Sequence, residues 1–313
     1  MKLKKPNFWD YKKPTFISIL LLPFTFPFII NNFFLDRKDK TRKNSKIKSI
    51  CVGNIYVGGT TKTPLTIRID KILKKIDFKT ATIKKFYNDQ LDEQKLLQNK
   101  TTLYCYTSRK KAIEQAIKDK IDIAIFDDGL QELSLNYDLS FVCFNNSTWI
   151  GNGLLMPAGP LREKISSIKK YDAIFLNGNG EDNSRLKLLI KKINQNINIF
   201  ETTYTPINLT KPDDKEKYLI FSGIGNPKNF KMTLLKNNFN VIKEIIYADH
   251  HQYKLKQINK IKKLAKNLNA KIITTEKDYI KLNSKWTEGI ECLKVELTIK
   301  DEDKLINLIK NII

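Results

Sequence analysis

The stretch Ile50-Cys51-Val52-Gly53-Asn54-Ile55-Tyr56-Val57-Gly58-Gly59-Thr60-Thr61-Lys62-Thr63-Pro64 places glycines, a lysine and a hydroxyl between an apolar run and a helix start. A triphosphate needs those groups in that order. Backbone N–H groups and a helix N-terminus cradle the β and γ phosphates, the Lys62 ammonium neutralises them, and the Thr63 hydroxyl suits Mg2+. Two positions leave the pattern G-x-x-x-x-G-K-[ST]. Tyr56 stands where the first glycine would be. Thr61 replaces the glycine before the lysine, where a β-branched residue costs about 1–3 kcal/mol if positive φ is demanded. On these residues alone, a Lys-Thr helix start after an ordinary glycine turn fits equally well.

A second chemical feature follows the apolar run 121–126, which ends in Asp127-Asp128-Gly129-Leu130-Gln131. Paired carboxylates at the carboxyl edge of a parallel sheet sit beside such a phosphate loop, and either can hold Mg2+ directly or through water. Alone, the pair reads as a solvated turn; with the loop upstream it reads as a metal-binding acid. The chain has two histidines, adjacent in Asp249-His250-His251. The cysteines Cys51, Cys105, Cys143 and Cys292 lack metal-ligand spacing and are expected to be reduced, buried small hydrophobes.

These residues need a frame, and the pattern supplies one. Short continuous apolar runs at 47–52, 80–83, 103–106, 121–126, 139–144 and 171–176 suit parallel strands covered on both faces. Helix-like stretches at 64–75 and 109–118 alternate with them. A second set runs as strand 218–222, helix 227–236, strand 241–247, helix 255–268, strands 271–275 and 290–297, and helix 302–312. The expected organisation is an arm over 1–46, a three-layer α/β/α domain over 47–202, a linker over 203–216 and a smaller α/β lobe over 217–313.

With 313 residues, 41% of them hydrophobic, the chain fills real cores, which excludes a disordered chain or a mini-protein. The formal net charge of +23 favours anionic partners. The lysines are spread over nearly every segment, whereas nucleic-acid binders cluster arginine with aromatics; no nucleic-acid partner is expected. Residues 14–35 carry no charge, and lysines and arginines flank them on both sides. The length approaches a membrane span, but Pro23 and Pro27 interrupt it, so an N-terminal helix docked shallowly in an anionic leaflet is expected rather than a crossing. The alternative is a helix buried against the catalytic domain.

Taken together, the ordered motifs resemble one family over nearly the whole chain. They are Val52-Gly53-Asn54 with Val57-Gly58-Gly59-Thr60 and Lys62-Thr63-Pro64, Asp127-Asp128-Gly129-Leu130-Gln131, and Gly151-Asn152-Gly153 with Pro157-Ala158-Gly159-Pro160-Leu161-Arg162-Glu163. The second lobe adds Gly223-Ile224-Gly225-Asn226-Pro227, Asp249-His250-His251 with Tyr253, and Thr275-Glu276-Lys277-Asp278 with Lys281-Leu282. This set resembles the tetraacyldisaccharide 4'-kinase family of lipid A biosynthesis.

The resemblance implies a P-loop NTPase-like kinase on the cytoplasmic face of the bacterial inner membrane. It would use ATP and Mg2+ to phosphorylate the 4'-hydroxyl of a tetraacyldisaccharide 1-phosphate, giving lipid IVA. A monomer is expected, with the glycolipid and an anionic membrane surface as partners. Tyr56, Val57, Gly58, Gly59, Thr60, Thr61, Lys62 and Thr63 would bind nucleotide. Thr63, Asp127 and Asp128 would bind metal, with Gln131, Arg162 and Glu163 nearby. The family's acidic stretch matches Leu91-Asp92-Glu93-Gln94, which makes Asp92 the base and His250 its partner, with His251 as the alternative. Three places depart from the family pattern: Thr61, the stretch Ile83-Lys84-Lys85-Phe86-Tyr87, and Glu132 in place of a histidine. Two rival readings share some of these residues. A P-loop GTPase or metallochaperone-like switch would want an Asn-Lys-x-Asp reader, to which Asn177-Gly178-Asn179-Gly180 is the nearest sequence. A basic membrane- or nucleic-acid-binding relative with a degenerate phosphate loop would not turn over at all.

Overall fold

Strand β1 (Lys48–Gly53) shows how the sequence makes three layers, because its side chains alternate between two cores. Ile50 and Val52 pack with Leu65, Ile69 and Leu73 on one face, while Cys51 packs with Ala112, Ile113 and Ile190 on the other. Helices on both faces therefore cover the sheet. The computed structural model describes residues 5–37, 46–59, 61–178, 180–208 and 215–313. Thr60 of the loop and Asn179 lie outside the described residues, as do parts of the expected arm and linker.

The arm contributes α1 (Phe16–Leu20), a 3-10 turn (Leu22–Thr25) and α2 (Phe26–Asp36). The single expected helix is thus broken into three pieces. Pro23 and Pro27 fall in the first turns of the second and third pieces, where a missing N–H costs nothing. Its polar residues face inward. Ser18, Thr25 and Asn32 are buried, whereas Phe16, Leu20, Phe24 and Phe26 are each more than 60% exposed. Asn32 donates to the carbonyl of Arg162 at 2.9 Å and accepts from the Lys164 amide at 3.1 Å. Asn152 donates to the Ser18 hydroxyl at 3.1 Å. The alternative of an apolar helix buried on the body is therefore not what forms. No helix among the described residues is long and apolar enough to cross a membrane.

After β1 the chain runs through α3 (Lys62–Lys75), β2 (Thr80–Lys85), α4 (Leu91–Lys100), β3 (Leu103–Tyr106), α5 (Arg109–Lys118), β4 (Ile123–Asp127) and β5 (Leu139–Asn145). It continues through β6 (Ala173–Asn177), α6 (Ser184–Ile193) and β7 (Asn198–Pro206). The second lobe holds β8 (Lys217–Ser222), α7 (Pro227–Lys236), β9 (Asn240–Ile246), α8 (Leu255–Asn267), β10 (Lys271–Thr275), α9 (Glu276–Tyr279) and β11 (Ile290–Leu293). Two last elements follow, β12 (Val295–Ile299) and α10 (Glu302–Lys310). The large sheet has the order β12-β7-β6-β5-β1-β4-β2-β3, parallel except where β12 meets β7. The small sheet, β11-β10-β8-β9, is all parallel.

The expected boundaries need correcting at the C-terminal side. The run 290–297 is two strands in two sheets, and the chain crosses between lobes at Lys294. Leu297, Ile299, Leu305 and Ile309 then bury themselves in the first lobe's core beside α3. Arg68 secures the return with ion pairs to Glu296 and Glu302. Residues 295–313 thus belong to the nucleotide-side lobe rather than to a second lobe of 217–313, and 203–206 lie in β7 rather than in a linker. Strand β7 and helix α6 had no counterpart among the expected elements. The thiols are free, with Cys51 and Cys143 buried, but Cys105 and Cys292 are only half-buried. Cys105 sits on edge strand β3, where cover is incomplete.

Candidate active site

The loop after β1 and the carboxyl ends of β2 and β4 meet at one edge of the large sheet, which is where open α/β sheets bind ligands. Thr61 caps α3 in the left-handed conformation, with φ 71 and ψ 12. The position does demand positive φ, and the residue filling it is β-branched. Gly58, with φ 118, fits its own demand without strain. Thr63 donates to Asp127 Oδ2 at 3.3 Å, and Lys62 stands 3.9 Å from Asp128 Oδ2. Arg162 donates to Asp128 Oδ1 at 3.0 Å and to Gln131 Oε1 at 3.1 Å. Burial opposes ionisation of Asp128, but Lys62 and Arg162 outweigh it and hold the carboxyl at about 2.

The second lobe closes over this edge. A Cβ placed on Gly59 would stand 3.0 Å from the Gly225 carbonyl carbon, so the phosphate loop abuts the Gly223-Ile224-Gly225-Asn226 turn backbone to backbone. Between the lobes lies a cleft of about 420 Å3. Val57, Gly58, Gly59, Thr61, Lys62 and Thr63 line it from one side, and Asp249, His250 and Lys277 from the other.

Asp92 lies in the first turn of α4 and is 2% exposed. His250 sits after β9 with φ 58, a turn that carries its ring across the cleft. Its Nδ1 is 2.8 Å from Asp92 Oδ1 and 3.0 Å from Oδ2. His251 points elsewhere: it stacks on Tyr247 and its Nε2 is 3.2 Å from Gln257 Oε1. Burial raises the Asp92 carboxyl, but the His250 hydrogen bond and the charges of Lys277 and Lys281 outweigh it and leave it below its ordinary value. Asp92 is therefore ionised at neutral pH.

Asp92, Asp127 and Gln131 lie behind the lining of the cleft, held by His250, Thr63 and Arg162, whereas Tyr56 and Glu163 stand away from it. The Tyr56 ring is 2% exposed and packs with Leu155 and Leu161, while its hydroxyl meets Asp10 and Lys5 of the arm. Its aromatic bulk suits the interface with the arm, so only its backbone belongs to the loop. Glu163 is fully buried and accepts from Tyr171 at 2.8 Å and Gln131 at 2.7 Å, with Lys170 at 2.9 Å. It anchors the segment that presents Arg162. A second, polar cavity of about 370 Å3 is lined by Lys85, Tyr87, Arg109, Gln131, Glu132 and Arg162.

Several residues at the site stood in the quoted motifs but were given no role by the sequence. Lys84, 2% exposed, reaches Asp127 Oδ2 at 2.6 Å and Glu93 Oε2 at 2.9 Å. In the sequence it stood only in a stretch that departs from the family pattern, and the register that sets it beside Asp127 is a tertiary fact. Glu93, Asp249, Lys277 and Lys281 join the same cluster from both lobes.

A family model described as tetraacyldisaccharide-1-P 4'-kinase matches residues 17–313. A tetraacyldisaccharide 4'-kinase from Pelagibacter ubique (strain HTCC1062) is 50% identical over 308 residues, 98% of this chain and 97% of that one. The chain belongs to this family. Another member of the tetraacyldisaccharide 4'-kinase family, from Rickettsia canadensis (strain McKiel), is 32% identical over 97% of this chain and 96% of its own. The "apo" form of LpxK from Aquifex aeolicus, crystallised in complex with ATP, superposes with a TM-score of 0.69. That match covers 95% of this chain and 99% of the other at 22% identity, and it shows a shared fold. The mixed α/β architecture with its phosphate loop is thus the P-loop NTPase-like fold of the tetraacyldisaccharide 4'-kinases.

Proposed function

We propose that this chain transfers the γ-phosphoryl group of ATP to the 4'-hydroxyl of a tetraacyldisaccharide 1-phosphate, forming lipid IVA at the cytoplasmic face of the inner membrane. The observation that carries the residue assignment is the 2.8 Å contact between the buried Asp92 and His250, whose ring lines the same cleft as Lys62 and Thr63. Val57, Gly58, Gly59, Thr60, Thr61, Lys62 and Thr63 cradle the triphosphate, and Lys62 neutralises it. Asp92 accepts the proton of the sugar hydroxyl as the oxygen–phosphorus bond forms and ADP leaves. His250 fixes the orientation of that carboxylate.

The donors at the loop fit Mg2+. Thr63 and Asp128 offer hard oxygens, and phosphates and water complete the shell of such ions. Asp127 suits a supporting role, because Lys84, Thr63 and Thr66 already take up its carboxylate. The ion, when bound, neutralises charge on the phosphates. Arg109, Gln131 and Arg162 line the polar cavity beside Asp128 and suit the acceptor's sugar and phosphate oxygens. The exposed phenylalanines of the arm, between basic flanks, suit an anionic lipid surface holding the acylated substrate. The protein acts as a monomer without nucleic acid.

Incubating the purified chain with Mg-ATP and the disaccharide 1-phosphate in detergent tests this. A bis-phosphorylated lipid in the mass spectrum, absent for Lys62→Ala, is the expected result. No product under conditions in which a known kinase of this type works would refute the reading.

A further inference from the structure

The Thr275-Glu276-Lys277-Asp278 motif has so far been given no chemical task, yet much of the second lobe is spent on placing Lys277. Asp278, fully buried, accepts from the Gly223 amide at 2.9 Å, the Thr275 hydroxyl at 2.7 Å and the Tyr253 phenol at 3.0 Å, and it pairs with Lys281 at 2.6 Å. Thr275 caps the four-residue α9 by accepting from the Asp278 amide. With its neighbour fixed this firmly, Lys277 projects from α9 into the cleft rather than into solvent.

In the cleft its ammonium stands 3.1 Å from Glu93 Oε1, 3.2 Å from Asp249 Oδ1 and 3.8 Å from Asp92 Oδ2. Lys84 holds the other oxygen of Glu93 at 2.9 Å, and the Lys62 charge also bears on that carboxylate. An anion therefore already lies at the focus of cations from both lobes, beside the base and within reach of the loop lysine. The close backbone approach of Gly59 and Gly225 seats the second lobe against the loop, so this focus is built by both lobes together.

Resting on the kinase reading, we propose that Lys277 is a catalytic cation of the transfer. It meets the γ-phosphoryl oxygens from the second lobe while Lys62 meets them from the first. Phosphoryl transfer asks mainly for charge neutralisation and positioning, and a cation supplied by the second lobe serves both. Engaging the phosphoryl also draws Lys277 away from Asp92, which leaves that carboxylate a stronger base at the moment a proton must move.

The test is equilibrium binding of ADP and of a non-hydrolysable β,γ-imido ATP analogue, each with Mg2+, to the full chain and to Lys277→Met, Lys277→Gln and Lys277→Arg. Loss of about 10-fold or more in analogue affinity for the Met and Gln variants, with ADP affinity within about two-fold, is expected for a lost charged contact to the γ group. Lys277→Arg should keep most of the preference. With acceptor present, kcat of the neutral variants should fall by about 10²-fold or more. Equal losses for both nucleotides, or none, would overturn the role of Lys277 while leaving the kinase reading intact. Absence of nucleotide binding by the unaltered chain would overturn both. If Lys277→Met does not fold, Lys277→Gln carries the same comparison.

Discussion

His250 Nδ1 and Asp92 Oδ1 are 2.8 Å apart although 158 residues separate them, and each comes from a different lobe. A hydrogen bond of this kind does two things at once, ordering a carboxylate and tying one lobe to the other. Asp92→Asn should lower kcat by about 10²–10⁴-fold with little change in ATP affinity, because only the proton acceptor is removed. His250→Gln should cost less. The double variant should fall no further than Asp92→Asn, since the two side chains act as one unit. Steady-state rates of lipid product measure all three, and additive losses would disprove the pairing.

Thr61 adopts a left-handed backbone that β-branched residues rarely hold. Thr61→Gly should relieve about 1 kcal/mol of strain and raise the melting midpoint by a few degrees. It should also tighten nucleotide binding, because the amides of the loop then reach their positions without strain. Thr61 also interacts with the half-buried Tyr204 phenol, so loss of that contact works in the opposite direction. A midpoint that does not rise would show that the contact outweighs the strain.

The carboxyls of Asp92, Glu93 and Asp128 are all held below their ordinary values, Asp128 at about 2. Each binds its proton more weakly in the folded state than in the unfolded chain, whose carboxyls titrate near about 4. Their stabilisation is therefore fully present above that value and lost as pH falls through the folded values. Urea midpoints should decline steeply below about pH 4, and Asp128→Asn should flatten the decline towards pH 2. An unchanged slope in that variant would count against the assignment.

Two changes in the arm separate its two faces. Replacing Phe16, Phe24 and Phe26 together with serine should leave stability nearly unchanged, since all three are exposed, but weaken binding to anionic vesicles by about 10²-fold or more. Asn32→Leu should do the reverse. It strips partners from the Lys164 amide and the Arg162 carbonyl, costing about 1–3 kcal/mol of stability while leaving the outer face intact. Vesicle flotation and chemical denaturation read the two effects.

Much of the frame was legible because buried parallel strands are written as continuous apolar runs, and β3, α7 and β10 fall on the expected residues. Strand β7 escaped because Thr202, Thr203 and Thr205 interrupt its apolar pattern, and α6 lacks a side-chain cap at its start. Around the cleft, the placing of Lys62, Thr63 and Asp128 together was expected from local motifs, and Asp92 entered only through the family resemblance. The clustering of Lys84, Glu93 and Lys277 was not foreseen, because a buried ammonium between carboxylates is defined by strand register and the packing of two lobes, neither of which is local in sequence.

The return of β12 and α10 to the large sheet has a consequence for how the molecule is made. Helix α3, which carries the loop lysine at its start, keeps part of its apolar face uncovered until Leu305 and Ile309 arrive from the far side of the second lobe. During synthesis the nucleotide lobe therefore cannot be completed before the smaller lobe has been threaded out. A chain stopped after Leu293 would expose the face on which α10 should lie, and quality-control proteases would meet it as unfinished.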